Sequence, residues 1–165
     1  MSLAGPRVRL VPVAPEHRER LDELRRLPEV VRWWKDPWGD WLAEEPDTVR
    51  YAVLAEGEIV GYAQWWEDTS PLYRHAGVDL FLDPAVHGRG LGTETLRVLC
   101  TYLIDERGFH RLVIDPEVAN EAAVASFRKV GFRPVGVMRR YIRDRPGVWK
   151  DGLLLDLLAD ELVRG

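Results

Sequence analysis

Three groups of residues in this chain have the types and spacing to do chemistry. The first is His87-Gly88-Arg89-Gly90-Leu91-Gly92-Thr93, three glycines at alternate positions. An apolar run ending at Asp83-Pro84 precedes them, and a segment with Leu91, Leu96, Leu99 and Leu103 near one helical face follows. A glycine-rich turn that opens a helix leaves backbone N–H groups without intrahelical partners, all pointing one way. With the positive end of the helix dipole this makes an anion site suited to a phosphate or diphosphate, and Arg89 can add a full charge. The second group is acidic. Asp79 interrupts the apolar run Val78-Asp79-Leu80-Phe81, where a charge is costly unless it faces a cavity or a partner. It reads as a base in a cleft or as half of a structural salt bridge. Asp115 ends the run Leu112-Val113-Ile114 and reads as a second acid in the same cleft or as a turn residue before Pro116. The third group is aromatic. Trp33, Trp34, Trp38 and Trp41 lie within nine residues, as core filling between helices or as a wall over a pocket.

Other chemistries find less support. The glycine turn has no Lys after Gly92, so it is not a P-loop, and its Gly-x-Gly-x-Gly spacing is not the Gly-x-Gly-x-x-Gly of a dinucleotide fold. A plain tight turn without a ligand is the bland alternative. No Ser/His/Asp or Cys/His arrangement stands out. His17, His75, His87 and His110 show no metal-ligand spacing, so no metal is expected. Cys100, the single cysteine, sits in an apolar helix and reads as core.

The elements that must position these groups alternate in type. A strand over residues 7–13 precedes a charged amphipathic helix at 16–27, which Pro28 ends. A short helix runs from Glu29 to Lys35, and Trp38 to Glu45 is expected as a further helical turn. Residues 49–55 and 58–66 form a hairpin about Glu56-Gly57. The strand 77–83, the glycine turn and a helix to about Arg107 follow, then a short buried strand, 112–114. Asn120 caps a helix at 121–130, and strands 132–142 and 148–158 join through Asp144-Arg145-Pro146-Gly147. With 165 residues and 46% hydrophobic content, one α/β domain over residues 1–165 with a mixed sheet is expected. The net charge of −4 without a basic run disfavours nucleic acid and suits a cationic partner. There is no signal peptide and no apolar run of membrane-spanning length, so a cytoplasmic protein that does not engage membranes is expected.

The glycine stretch resembles the acetyl-CoA-binding signature of the GNAT acyltransferases, Gln/Arg-x-x-Gly-x-Gly/Ala, here His87-Gly88-Arg89-Gly90-Leu91-Gly92 with His at the first position. A second family block, Asn-x-x-Ala-x-x-x-Tyr-x-x-x-Gly-Phe, stands as Asn120, Ala123, Phe127, Gly131 and Phe132, with Phe for Tyr. The resemblance covers nearly the whole chain. It implies the GNAT fold, a mixed central sheet flanked by helices whose two parallel strands, 77–83 and 111–115, splay apart around the cofactor. It also implies that the acetyl-CoA amides pair with Leu80, Phe81 and Leu82, and that the diphosphate rests on the N–H groups of residues 88–93. Asn120 would contact the cofactor or serve only as a cap. Phe127 cannot supply the thiolate proton that the family's Tyr often gives. Unassisted departure, Ser126, Tyr141 and solvent are the alternatives.

Within the family the chain looks most like the aminoglycoside 6′-N-acetyltransferases. The matching pieces are Val30-Val31-Arg32-Trp33-Trp34, Trp65-Trp66-Glu67-Asp68, Gly77-Val78-Asp79 and Asp115-Pro116 ahead of Asn120. The implied reaction is direct attack of an amine on the thioester, with Asp79 and Asp115 as the catalytic acids. Asp68, Asp79, Asp115 and Asp144 or Glu117 would hold ammonium groups, and Trp33, Trp34, Trp65 and Trp66 would stack on sugar rings. The alternatives are a hydroxylysine siderophore precursor, a protein N-terminus, or a catalytically silent acyl-CoA-binding module. The oligomeric state, monomer or homodimer, is left open.

Overall fold

The computed structural model describes residues 1–144 and 147–165. Its strands are β1 (Leu3–Ala4), β2 (Val8–Pro12), β3 (Thr48–Ala55), β4 (Glu58–Asp68), β5 (His75–Leu82), β6 (Arg111–Ile114), β7 (Arg133–Arg143) and β8 (Trp149–Leu158). The α-helices are α1 (Arg18–Arg25), α2 (Pro28–Trp34), α3 (Leu91–Asp105) and α4 (Glu121–Val130). The strands form one sheet in the order β1-β2-β3-β4-β5-β6-β8-β7. Every neighbouring pair is antiparallel except β5 and β6. This is the GNAT fold, as the resemblance implied. Among the described residues no helix is long and apolar enough to cross a membrane.

The two-residue period of the strands divides the core. On one face Tyr51, Val53, Ala63, Trp65, Val78, Leu112 and Leu155 pack against Leu96, Leu99, Cys100 and Leu103 of α3 and Phe127 and Val130 of α4. On the other, Ala52, Tyr62 and Phe81 pack against Leu21 and Leu24 of α1 and Val30 of α2. The helix period in α1 and α3 supplies those apolar stripes.

Two regions differ from the sequence reading. Trp38 to Glu45 is not helical; it is a run of bends and turns. Gly39 takes a left-handed φ of 62°, which interrupts a right-handed helix, and Trp41 is held instead by its Nε1 donating to Asp22 Oδ1 at 2.8 Å. The first residues, for which no element is expected, form β1, with Leu3 opposite Leu10 and buried. Of the expected turn 144–147, Arg145 and Pro146 lie outside the described residues.

Glu94, in the first turn of α3, fastens the sheet edge to that helix. Its Oε2 accepts the backbone N–H of Arg7 at 2.8 Å and of Val8 at 2.9 Å, and its Oε1 accepts Arg7 Nε at 2.9 Å. Burial alone would raise this carboxyl, but these donors together hold it below its ordinary value. Glu94→Ala would leave two N–H groups without partners, at about 1–3 kcal/mol. Urea denaturation should show a lower midpoint with an unchanged slope.

Candidate functional site

The one parallel ladder in the sheet is short. β5 and β6 pair only through Ala76↔Leu112 and Gly77↔Val113, and then part. Asp79 lies two residues past Gly77 and Asp115 two past Val113, so the two carboxyls stand on the same face of the sheet at the two sides of the fork. Across β5, Asp79 is in register with Gln64 of β4, whose Nε2 donates to Asp79 Oδ2 at 3.3 Å. Gln64 Oε1 accepts the hydroxyl of Tyr62 at 2.7 Å. On the far side Asp115 Oδ2 accepts the hydroxyl of Tyr141. Burial and then the nearby Asp115 charge push the Asp79 carboxyl up to about 7, against the opposing pull of Gln64. Burial also raises Asp115, while the Tyr141 hydroxyl and its own backbone N–H pull it back.

Beyond Asp79 the fork opens into a cleft of about 450 Å³. Leu80, Phe81 and Leu82 form one wall and Asn120, Ser126 and Phe127 of the α4 side another; Trp33 and Trp34 also face it. The glycine turn closes the mouth, with His87, Gly88, Gly90, Leu91, Gly92 and Thr93 lining it. Gly88 and Gly90 have φ of 79° and 76°, values that a side chain strains to adopt, and Gly90 is the N-cap of α3. A Cβ at Gly88 would meet nothing within 4 Å. Thr93 Oγ1 and Ser126 Oγ lie 2.7 Å apart and tie α3 to α4 across the cleft. The parting of the strands leaves backbone groups of β5 without a strand partner. Trp34 Nε1 donates to Leu80 O at 3.2 Å, and His87 Nε2 lies 3.2 Å from Leu82 O.

Several residues singled out from sequence sit elsewhere. Trp65 is in the core, edge-on to Phe109 at 5.8 Å. Adjacent strand residues face opposite ways, so Trp65 and Trp66 cannot share a pocket. Trp66 lies over Gly77, where a Cβ would come within 2.1 Å of the indole. Arg89 turns its guanidinium toward Glu56, 3.6 Å away, and its carbonyl accepts from Arg7 Nη1 at 2.7 Å. Asp68 Oδ1 accepts from Ser70 N at 2.9 Å, at the end of β4 away from the cleft mouth. Asp144 is bound by Lys35, whose Nζ lies 2.6 Å from Asp144 Oδ1 and 2.7 Å from Glu117 Oε2. Asn120 caps α4 through Oδ1 and Ala123 N at 3.3 Å, and faces the cleft as well. Trp38 is largely exposed beside Arg143, 5.5 Å from its ring.

Sequence reasoning missed Lys35, Gln64 and Arg7. Gln64 carried a usable signal: it shares a strand face with Tyr62 and Trp66 in an otherwise apolar arm. Lys35 and Arg7 act through partners more than eighty residues away and gave none. Lys35 has φ of 64° and also donates to Arg32 O at 2.8 Å. Burial alone would depress its ammonium, but Asp144 and Glu117 hold it above its ordinary value. Arg25 donates to the carbonyls of Lys35 at 2.6 Å and Trp34 at 3.1 Å, and lies over the rings of Trp34 and Trp41 at 5.5 and 5.6 Å.

Among the described residues the sheet is forked at its one parallel pair, with the glycine turn and a helix N-terminus at the mouth, an arrangement that suits a ligand carrying amides and a diphosphate. The pattern of the Acetyltransferase (GNAT) family matches residues 13–132, and the chain belongs to that family. It is 34% identical over 109 residues to aminoglycoside N(6′)-acetyltransferase type 1 of Klebsiella pneumoniae, over 59% of this chain and 53% of that protein. It is 36% identical over 88 residues to N-alpha-acetyltransferase RimI of Mycobacterium tuberculosis, over 53% of each. The chain thus spans about half the length of these curated relatives. Mycobacterium smegmatis RimJ in complex with CoA-disulfide superposes with a TM-score of 0.82 at 21% identity, covering 98% of this chain and 88% of that one. Acetyl-CoA is the cofactor of such enzymes, and the residues present fit it. The open N–H groups of the turn suit a diphosphate, and the carbonyls of Leu80 and Leu82 suit amide donors.

The raised Asp79 carboxyl has a consequence for stability. Between about pH 4 and 7 the folded chain holds a proton there that the unfolded chain releases, so folding loses stability as pH rises through this window. Asp79→Asn should therefore raise the melting temperature at pH 8 and leave it nearly unchanged at pH 4, as thermal denaturation at the two values will show.

Proposed function

We propose that the chain transfers the acetyl group of acetyl-CoA directly to a primary amine of a small polycation, the 6′-amine of an aminoglycoside. The observation that carries this reading is the pair of carboxyls, Asp79 and Asp115, at the fork where the cofactor cleft ends. Acetyl-CoA, when bound, supplies the acetyl group as a reactive thioester. The N–H groups of residues 88–93 grip its diphosphate, and β5 aligns its amides, so that position and orientation do much of the work. An alkyl ammonium, with an ordinary pKa of about 10, must lose a proton before it can attack. Asp79, pushed up to about 7, is a base matched to neutral pH. Asp115, as an anion, holds a neighbouring ammonium, and Trp33 and Trp34 give an aromatic wall for a ring. The hydroxyl proton of Tyr141 is committed to Asp115, so the sulfur leaves as a thiolate that takes its proton from solvent, directly or relayed through the Ser126 hydroxyl at the cleft wall.

The relative from K. pneumoniae supports an aminoglycoside acceptor. The relative RimI favours a second reading, in which the acceptor is the α-amine of a protein. With Asp144 and Glu117 both engaged by Lys35, the acidic complement left for an acceptor centres on Asp79 and Asp115, which suits one or two close amines in either case.

Thiol release from acetyl-CoA distinguishes the two. Release with kanamycin-like amines supports the first reading, and release with N-terminal peptides alone supports the second. Asp79→Asn should lower turnover by two orders of magnitude or more, roughly the contribution of a general base, while acetyl-CoA affinity by calorimetry stays within about twofold. Near-normal turnover would remove Asp79 from the mechanism.

A further inference from the structure

Asp115 has a partner that the fold takes trouble to place. β7 pairs with β8 in regular register from Gly136↔Leu154 to Met138↔Gly152, after a first shift between Pro134 and Gly136, and the register shifts again before Ile142↔Lys150. Inside this bulge Arg140 has φ of 50°, a left-handed value costing a non-glycine residue on the order of 1 kcal/mol. The Arg140 N–H donates to Asp151 Oδ1 at 2.7 Å and pins the bulge to β8. The ring of Tyr141 then lies against Gly152, where a Cβ would approach its Cδ2 to 2.8 Å. The result of the bulge, the anchor and the missing side chain is one contact: the Tyr141 hydroxyl donating to Asp115 Oδ2.

The two acids at the fork are not equivalent. Asp79 has one neutral donor, Gln64, at 3.3 Å. Asp115 has two, the Tyr141 hydroxyl and its own backbone N–H. Donors to a carboxylate lower its appetite for a proton, and two like charges at one site favour leaving one of them protonated. The titratable groups that face the pair among the described residues are Tyr62, through Gln64 from β4, and Tyr141 from β7. Both phenols stay protonated and able to donate. Burial raises Tyr62, and the bond to Asp115, followed by burial, raises Tyr141.

We propose that Tyr141 is a positioning residue that decides which carboxyl of the pair carries the shared proton: by donating to Asp115 it holds Asp115 as the anion and leaves Asp79 as the group that takes up and releases the proton. The inference rests on the reading of Asp79 as the base. It adds that the base is set from the other side of the fork, by a strand that lines neither the cofactor cleft nor the glycine turn.

Tyr141→Phe keeps the ring on Gly152 and removes only the hydroxyl. Carbon-13 titration of the aspartate carboxyls, on the purified chain without ligands, reads the proton directly. In the wild type Asp79 should be the last of the two carboxyls to lose its proton, near neutrality. In Tyr141→Phe the Asp115 midpoint should rise by about one pH unit, a tenfold gain in proton affinity, and the two carboxyls should share the neutral transition. Gly152→Ala, which displaces the ring and retains the hydroxyl, should shift Asp115 in the same direction. In thiol-release assays with kanamycin, Tyr141→Phe should move the acid limb of the kcat/KM profile to higher pH, lower kcat, and leave KM for acetyl-CoA unchanged. Unaltered carboxyl midpoints in Tyr141→Phe overturn the proposal. Normal turnover by Asp79→Asn would instead overturn the reading of Asp79 as base, and the carboxyl titration would still report how the pair divides its proton.

Discussion

The parting of β5 from β6 is the constraint around which the molecule is built. Two residue pairs hold these strands together, and beyond them the backbone of β5 faces open space. Backbone N–H and C=O groups that lose a strand partner must find another, because leaving them dry and unpaired costs as much as a broken hydrogen bond. Part of the debt is met by side chains: Trp34 serves Leu80, and His87 lies against Leu82. The remainder is what makes the cleft receptive to a ligand with amides of its own. The same separation opens space beside the sheet face that the Asp79 and Asp115 carboxyls share.

The elements around the fork are secured by polar contacts that span long stretches of chain. Glu94 joins the start of β2 to the first turn of α3, which keeps the glycine turn against the sheet edge. Lys35 joins the end of α2 to Glu117, after β6, and to Asp144, at the end of β7. Arg25 stacks under Trp34 and Trp41 and holds the carbonyls at the end of α2. Glu94, Lys35 and Glu117 lie mostly away from water and are paired, and Arg25 is buried against carbonyls and rings, so these groups keep an irregular segment in one conformation. The irregular run after α2 has few backbone partners, so these side chains supply much of its order.

Much of this was legible in the residues. The glycine turn, the helix behind it, the hairpin about Glu56-Gly57 and the cap at Asn120 each rest on local signals, glycine and proline punctuation and apolar period, and each formed close to the expected place. The helical turn expected over Trp38 to Glu45 did not form, because Gly39 takes a left-handed φ and the run folds as bends and turns. Strand alternation alone separates Trp65 from Trp66, placing one in the core when the other faces out. That Asp79 and Asp115 flank one fork depends on the register of two strands more than thirty residues apart, which no local pattern encodes. The Lys35 and Arg7 contacts are illegible for the same reason.

The burial of Lys35 bears on a hazard peculiar to catalysts of this kind. An enzyme that acetylates amines carries amines of its own. This chain meets nearly all its need for cationic side chains with guanidinium groups, twenty arginines against three lysines, and a guanidinium that never loses its proton is no nucleophile. Lys35 is held protonated between two carboxylates and is 8% exposed. Acetylation of Lys35 would erase a charge and strand Glu117 and Asp144, and the ion pairing at the end of α2 keeps this ammonium from acting as a nucleophile.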